Sequence, residues 1–279
     1  MHLLIFINNC YNNKKGCDTI NLFDDELVCI EWFKDFSYGM QFHNSSTRKI
    51  VSTILNDNKW KLWTASNGKD DPPPDFYCEK YKLMMEVMRV DDHTFKKNGH
   101  YRNPTNEAES KIYNELKSNG IVNGVNGNLV VVSAKSGLPT EQDHNYKWYL
   151  SNFERVIEKH NQKINSYKQN HPGYKCIFFI VDESSAYLVA RSKNEIPKEI
   201  IPGAPFYGKL HHHFFDDNFI SCLSKTKADF IIWFSPYKHY NFASPIRRQL
   251  PKAFAYDVSK LKNFYSMKYD TNLIFQSEA

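Results

Sequence analysis

The sequence predicts an α/β (α+β) fold, with one mixed central sheet flanked by helices. Three observations predict it. Lys175–Val181 and Phe230–Phe234 read as buried strands, short and nearly all apolar. Helix-period segments are interspersed with them, the longest being Tyr146–Gln169. No linker composition separates two halves, so the 279 residues read as one domain, 1–279, with a core at about 44–235 and elaborations at 1–43 and 236–279.

In chain order, Leu3–Ile7 reads as a strand, Asn12–Gly16 as a polar turn, and Leu27–Phe36 as a strand or short helix. Asn44, Ser45 and Ser46 offer N-caps for a helix to about Leu55, with Ile50, Val51 and Ile54 on one face. Lys59–Ala65 alternates Trp60, Leu62 and Thr64 like a strand. Asn67-Gly68, two Asp and three Pro make 66–74 a loop. Phe76–Cys78, a turn at Glu79-Lys80 and the strand Tyr81–Val90 form a hairpin. His93–Thr105 is polar and loop-like, Asn106–Ser118 has helical spacing, and Leu129–Ala134 is a strand. The long helix at 146–169 places Tyr149, Phe153, Val156, His160, Ile164 and Tyr167 on one stripe, and His171-Pro172-Gly173 stops it. Strands at Lys175–Val181 and Ala186–Ala190 follow, joined by a turn at Asp182–Ser185 that reads as solvated. Then come a helix over Phe214–Ser224, the strand Phe230–Phe234 and a tail, Arg247–Lys268, rich in cations and aromatics.

Composition narrows the function classes. A net charge of +5 permits a nucleic-acid partner without demanding one. The six cysteines contain no CxxC pair, which excludes a zinc ribbon or thioredoxin motif and fits reduced, buried thiols of a cytoplasmic protein. No run approaches the roughly 18–20 apolar residues of a membrane span, so no membrane partner is expected. The Leu3–Ile7 run is too short for a signal peptide. GxSxG, HExxH and GxxxxGK[ST] are absent.

The chemistry sits in the hairpin. Asp75 opens it after Pro74, and Glu86 interrupts its second, apolar strand. Lys82, Met84, Glu86 and Met88 fall on one strand face. A buried carboxylate costs several kcal/mol unless it is paired or holds a cation, and a metal shared with Asp75 is one such compensation.

Pro-Asp, a short hairpin and Glu-x-x inside an apolar strand resemble the PD-(D/E)xK, or restriction-endonuclease-like, nuclease superfamily. The order of elements from residue 44 to 181, about half of the chain, is similar to that family's core. The resemblance implies a Mg²⁺-dependent DNA endonuclease hydrolysing phosphodiesters, with Mn²⁺ as an alternative ion. Asp75, Glu86 and the backbone carbonyl of Val87 would be its metal ligands, with Asp75 and Glu86 catalytic. The family's lysine position holds Met88. Lys135, at the end of the strand 129–134, is the replacement expected; Lys82 lies about 13 Å along the strand, and Arg89 points to the opposite face. Without a replacement the chain would be a catalytically inactive nuclease-fold protein that binds nucleic acid or another partner. The helix carboxylate often present in the family has no counterpart in 44–55, and Glu31 is a weak substitute.

Other groups carry weaker signals. Arg247, Arg248 and Lys252, interleaved with Phe254 and Tyr256, suit phosphate contacts plus base stacking on DNA, or an ordinary aromatic surface. Arg155, Lys159, Lys163 and Lys168 can form one polar helix face. Asp91-Asp92-His93 either ends its strand or adds a ligand, and His211-His212-His213 diverge too far in an extended chain to close one site. The family resemblance leaves room for a homodimer.

Overall fold

The structure is a computed structural model. It describes residues 2–7, 26–35, 39–57, 61–66, 73–93, 95–97, 100–102, 111–112, 114–116, 118–120, 130–135, 144–197, 208–236, 238 and 250–276. The first elements are β1 (His2–Ile7), α1 (Glu26–Asp35), β2 (Met40–Phe42), α2 (Ser45–Leu55), β3 (Thr64–Ala65), β4 (Phe76–Cys78) and β5 (Leu83–Val90). The hairpin strands β6 (Phe95–Lys97) and β7 (His100–Arg102) follow, then β8 (Val130–Lys135), α3 (Tyr146–Asn161), α4 (Ile164–Asn170) and β9 (Lys175–Asp182). The remainder are β10 (Tyr187–Val189), β11 (Lys209–Leu210), α5 (Asp217–Ser224), β12 (Phe230–Phe234), β13 (Ala253–Asp257) and β14 (Ile274–Gln276).

The fold is α+β. Seven strands form a mixed sheet in the order β2-β13-β12-β9-β5-β4-β3. β3, β4 and β5 are antiparallel neighbours, whereas β5, β9 and β12 run parallel. Helices cover both faces, so β5, β9 and β12 are buried on both sides and read as apolar runs. The strand pleat sorts their residues. Met84, Met88, Phe178, Ile180, Ile231 and Trp233 pack toward α3, α4 and α5. Met85, Val87, Ile177, Phe179, Ile232 and Phe234 pack toward α1 and α2.

Local chemistry explains the boundaries. Asn44 caps α2 through a capping box with Thr47. Asp57 accepts the N–H groups of Lys61, Leu62 and Trp63 and delivers the chain to β3, which is confined to Thr64–Ala65. The second hairpin strand starts at Leu83, because Glu79–Tyr81 is a 3₁₀ turn and Lys82 takes a left-handed conformation. Of residues 27–36, compatible with strand or helix, 27–35 belong to the helix α1 and Phe36 lies outside the described residues. The single helix expected over 146–169 divides after Asn161, whose side-chain oxygen accepts the Lys227 N–H. The loop expected at 93–105 contains the β6–β7 hairpin. The helix expected at 106–118 lies partly outside the described residues, of which 111–112, 114–116 and 118 are helical.

The sheet reaches past both expected edges of the core: β2 and β13 pair with each other, and β13 pairs with β12. Phe254 and Tyr256 are core residues rather than a surface for bases. Burial of such rings contributes roughly 1.5–3 kcal/mol each. The turn after β9 is likewise no solvated turn. Asp182 is fully buried and accepts from Tyr149, Trp233, Ser184 and Ser235, and Glu183 pairs with Arg89 at 2.7 Å.

Candidate functional site

The β4–β5 register places Phe76 opposite Met85. One step further, Asp75 stands opposite Glu86, and directly opposed antiparallel residues share a face. The next residue, Pro74, has no N–H and no donor for β5. The Val87 N–H donates to Asp75 Oδ2 at 2.7 Å. The carbonyls of Lys82 and Val90 accept from the β9 side. Odd-numbered Val87 therefore turns its own carbonyl to the opposite edge, the one on which Asp75 lies. Asn170, ending α4, donates to the Pro73 carbonyl at 2.7 Å and fixes the approach to Asp75.

Glu86 is buried. Its Oε1 accepts the Tyr167 hydroxyl at 2.6 Å and lies 2.7 Å from His160 Nδ1. An ionised carboxylate only accepts, so His160 donates from Nδ1 in this pairing. Glu86 Oε2, also buried, has no hydrogen-bond partner among the described residues. Burial and the neighbouring Glu86 charge push the Asp75 carboxyl up to about 7, against the Val87 hydrogen bond; Glu26 raises it further and Lys163 lowers it. Burial, then the hydrogen bond to Glu86 and its charge, raise the Tyr167 phenol well above its ordinary value.

A cavity of about 270 Å³ opens beside these groups, where β5 runs on past the end of β4. Glu26 of α1, Val87 and Met88 of β5, and Arg155, Lys159 and His160 of α3 line it. Acidic and basic groups thus meet at one strand edge.

The structure brings together Asp75, Glu86 and Val87 of the expected set. Lys135 ends β8, which pairs with β1 in a separate two-stranded sheet. Arg247 and Arg248 lie outside the described residues. Lys252 precedes β13, on the far side of β9 and β12 from β5, and donates to the Pro236 carbonyl at 2.9 Å; burial lowers its ammonium pKa. The helix carboxylate acting on Asp75 is Glu26, while Glu31 pairs with Lys34 at 3.2 Å. Sequence reading missed Glu26 and the grip of His160 and Tyr167 on Glu86. The available signal was a polar His and a Tyr seven positions apart on an otherwise apolar stripe.

A second group lies just beyond the end of β5. One ligand atom from each of Asp92, His93 and His144 falls within 4.8 Å of the others, so the buried cluster can hold a metal. Asp92 Oδ1 is 3.0 Å from His144 Nδ1 and 3.5 Å from His93 Nε2. Asp92 Oδ2 accepts the Ser185 N–H at 2.8 Å and the Tyr187 hydroxyl at 2.7 Å. Burial pushes the Asp92 carboxyl up, but the His144 and His93 charges and these hydrogen bonds outweigh it and hold the group well below the usual carboxylate range. His211 and His213 are buried on different partners, Asp216 and Ser235. No helix among the described residues is long and apolar enough to cross a membrane.

No protein-family model, curated protein or solved structure matches the chain.

Proposed function

We propose that the chain is a restriction-endonuclease-like, divalent-metal-dependent phosphodiesterase acting on DNA, with its centre at Asp75 and Glu86. One observation carries the reading: Glu86 Oε2 is a buried carboxylate oxygen without a hydrogen-bond partner among the described residues, beside a second carboxylate that burial and Glu86 hold near pKa 7. Two opposed acids on adjacent strands repel, and a hard cation relieves both. The donors fit Mg²⁺ or Mn²⁺, being carboxylate oxygens of Asp75 and Glu86 and the Val87 carbonyl. A bound ion would supply charge neutralisation of a phosphodiester and a lowered pKa for water.

The chain's own residues do the rest. Tyr167 and His160 fix the Glu86 carboxylate by one oxygen and leave the other unspent. Glu26 lines the cavity and its charge acts on Asp75. Arg155 and Lys159 put cations on the wall shared with Met88, where they can pair with substrate phosphate oxygens. The order α2, β3, β4, β5, α3–α4, β9 supports the family reading.

Met88 favours a second reading, an inactive nuclease-fold protein that binds DNA, because a buried thioether neither donates a proton nor stabilises an anion. Supercoiled and linear DNA incubated with the full chain and Mg²⁺ or Mn²⁺ separates the two. The enzyme reading expects cleavage that falls at least ~100-fold in Asp75→Asn and Glu86→Gln. Metal and DNA binding without cleavage across many sequences would leave the inactive relative.

A further inference from the structure

We propose that Asp92, His93 and His144 form a second metal site, selective for a borderline transition-metal ion such as Zn²⁺ over Mg²⁺, which pins the start of α3 to the ends of β5 and β9. This inference stands apart from the phosphodiesterase reading, because none of its residues belongs to the Asp75–Glu86 centre.

The donor set is the first argument. Two imidazoles and one carboxylate suit Zn²⁺ and its neighbours, whereas Mg²⁺ prefers oxygen ligands throughout. Geometry is the second. Ligands at about 2.0–2.1 Å from a tetrahedral ion lie roughly 3.3 Å from one another. The separations of Asp92 Oδ1 from His144 Nδ1 and His93 Nε2, 3.0 and 3.5 Å, straddle that edge. An ion can replace a proton between Asp92 Oδ1 and these nitrogens, and the edge between the two rings lies within 4.8 Å.

The surroundings are those of an oriented ligand. The Ser185 N–H and the Tyr187 hydroxyl hold Asp92 Oδ2 and leave Oδ1 to face the two rings. The Ser185 hydroxyl touches His144 Nδ1, which puts a further polar group beside the cluster. His144 itself sits at φ 134°, a conformation that L side chains rarely adopt. Such a conformation persists where the surroundings over-determine it, and here it sends the ring to Asp92 one residue before the α3 cap, Asn145.

The role follows from position. Asn145 N–H reaches the Asp92 carbonyl, and Asn152 donates to the Asp91 carbonyl at 3.1 Å, so α3 already leans on this turn. α3 carries Arg155, Lys159 and His160 to the cavity beside β5. A metal at its N-terminal end would set the angle at which those groups arrive.

The test is titration of the EDTA-treated full chain with CoCl₂ and ZnCl₂, read by visible absorption and by thermal unfolding. The proposal expects one equivalent of Co²⁺ with ligand-field bands of a nitrogen-containing site, displaced by Zn²⁺ and unaffected by Mg²⁺. Asp75→Asn and Glu86→Gln leave that signal intact. His93→Gln and His144→Gln, checked for folding by circular dichroism, weaken Co²⁺ binding at least ~100-fold. Absence of the bands in the folded wild type overturns the proposal, as does binding that survives in both folded histidine variants.

Discussion

β5 and its continuation carry two acidic positions six residues apart, Glu86 and Asp92, and the fold treats them in opposite ways. Glu86 faces another carboxylate and keeps one oxygen without a hydrogen-bond partner among the described residues, while burial first and then the Glu86 charge raise the neighbouring Asp75 carboxyl to about 7. Asp92 is buried more completely, yet two imidazoles, a hydroxyl and a backbone N–H hold it ionised. Burial raises both carboxylates; it prevails at Asp75, and the donors around Asp92 outweigh it. Under-compensated acids invite a hard cation, and nitrogen-flanked acids invite a borderline one. A chain with both has a reason to take two kinds of ion along β5 and the turn that follows it.

The widest gap between the regions should appear on deleting an acid. Asp92→Ala strands the Ser185 N–H, the Tyr187 hydroxyl and His144 in the interior, and breaking a buried pair costs about 3–5 kcal/mol. Urea unfolding in EDTA measures it. A loss below about 1 kcal/mol would mean that the Asp92 network is not the anchor described, and the contrast with Asp75 would dissolve.

Acid and base should act oppositely on the two carboxylates. Asp75 binds its proton more tightly folded, near 7, than unfolded, near 3.8. Its favourable contribution is fully present below about pH 4 and is lost as pH rises through 7. Asp92 is the reverse: its contribution is present above the ordinary carboxylate pKa and fades only in strong acid. In metal-free protein, Asp75→Asn should flatten the decline in stability between pH 4 and 8 by on the order of 2–4 kcal/mol. Asparagine can still accept the Val87 N–H, so the gain is electrostatic. Saturating Mg²⁺ at pH 8 should narrow the gap by stabilising the wild type alone. Superimposable pH profiles for wild type and Asp75→Asn would show that Asp75 is solvated like any loop acid.

The same contrast shows what a sequence carries. Asp75 and Glu86 were legible because a hairpin fixes their separation locally, and Pro74-Asp75 plus a charge in an apolar strand mark both ends. The buried runs of β9 and β12 were legible because helices on both faces leave no polar alternation to obscure them. Glu26, His160 and Tyr167 were not, since their relation to Asp75 and Glu86 spans 49, 74 and 81 residues and depends on which helix covers which face. His144 and Asp92, 52 apart, meet for the same reason. The aromatic tail misled because Lys and Arg around Phe254 and Tyr256 look like a surface, while the strand pairing of β13 draws those rings into the core.

The smallest expected effect falls on Lys159, one of the cations that line the cavity with Met88. Lys159 is an exposed residue of α3, so Lys159→Ala should change stability by less than about 0.5 kcal/mol. If its ammonium meets a substrate phosphate, the dependence of log K for DNA on log salt should shallow by about 0.9. Lys168, at the far end of the basic stripe on α4 and 3.8 Å from Asp229, is the control and should leave the slope unchanged. Binding isotherms of a DNA duplex at several NaCl concentrations, in Ca²⁺ to withhold cleavage, give both slopes. An unchanged slope for Lys159→Ala would separate the cavity from the DNA path. Equal shifts for the two variants would make the stripe a diffuse basic face rather than one wall of a phosphate-binding edge.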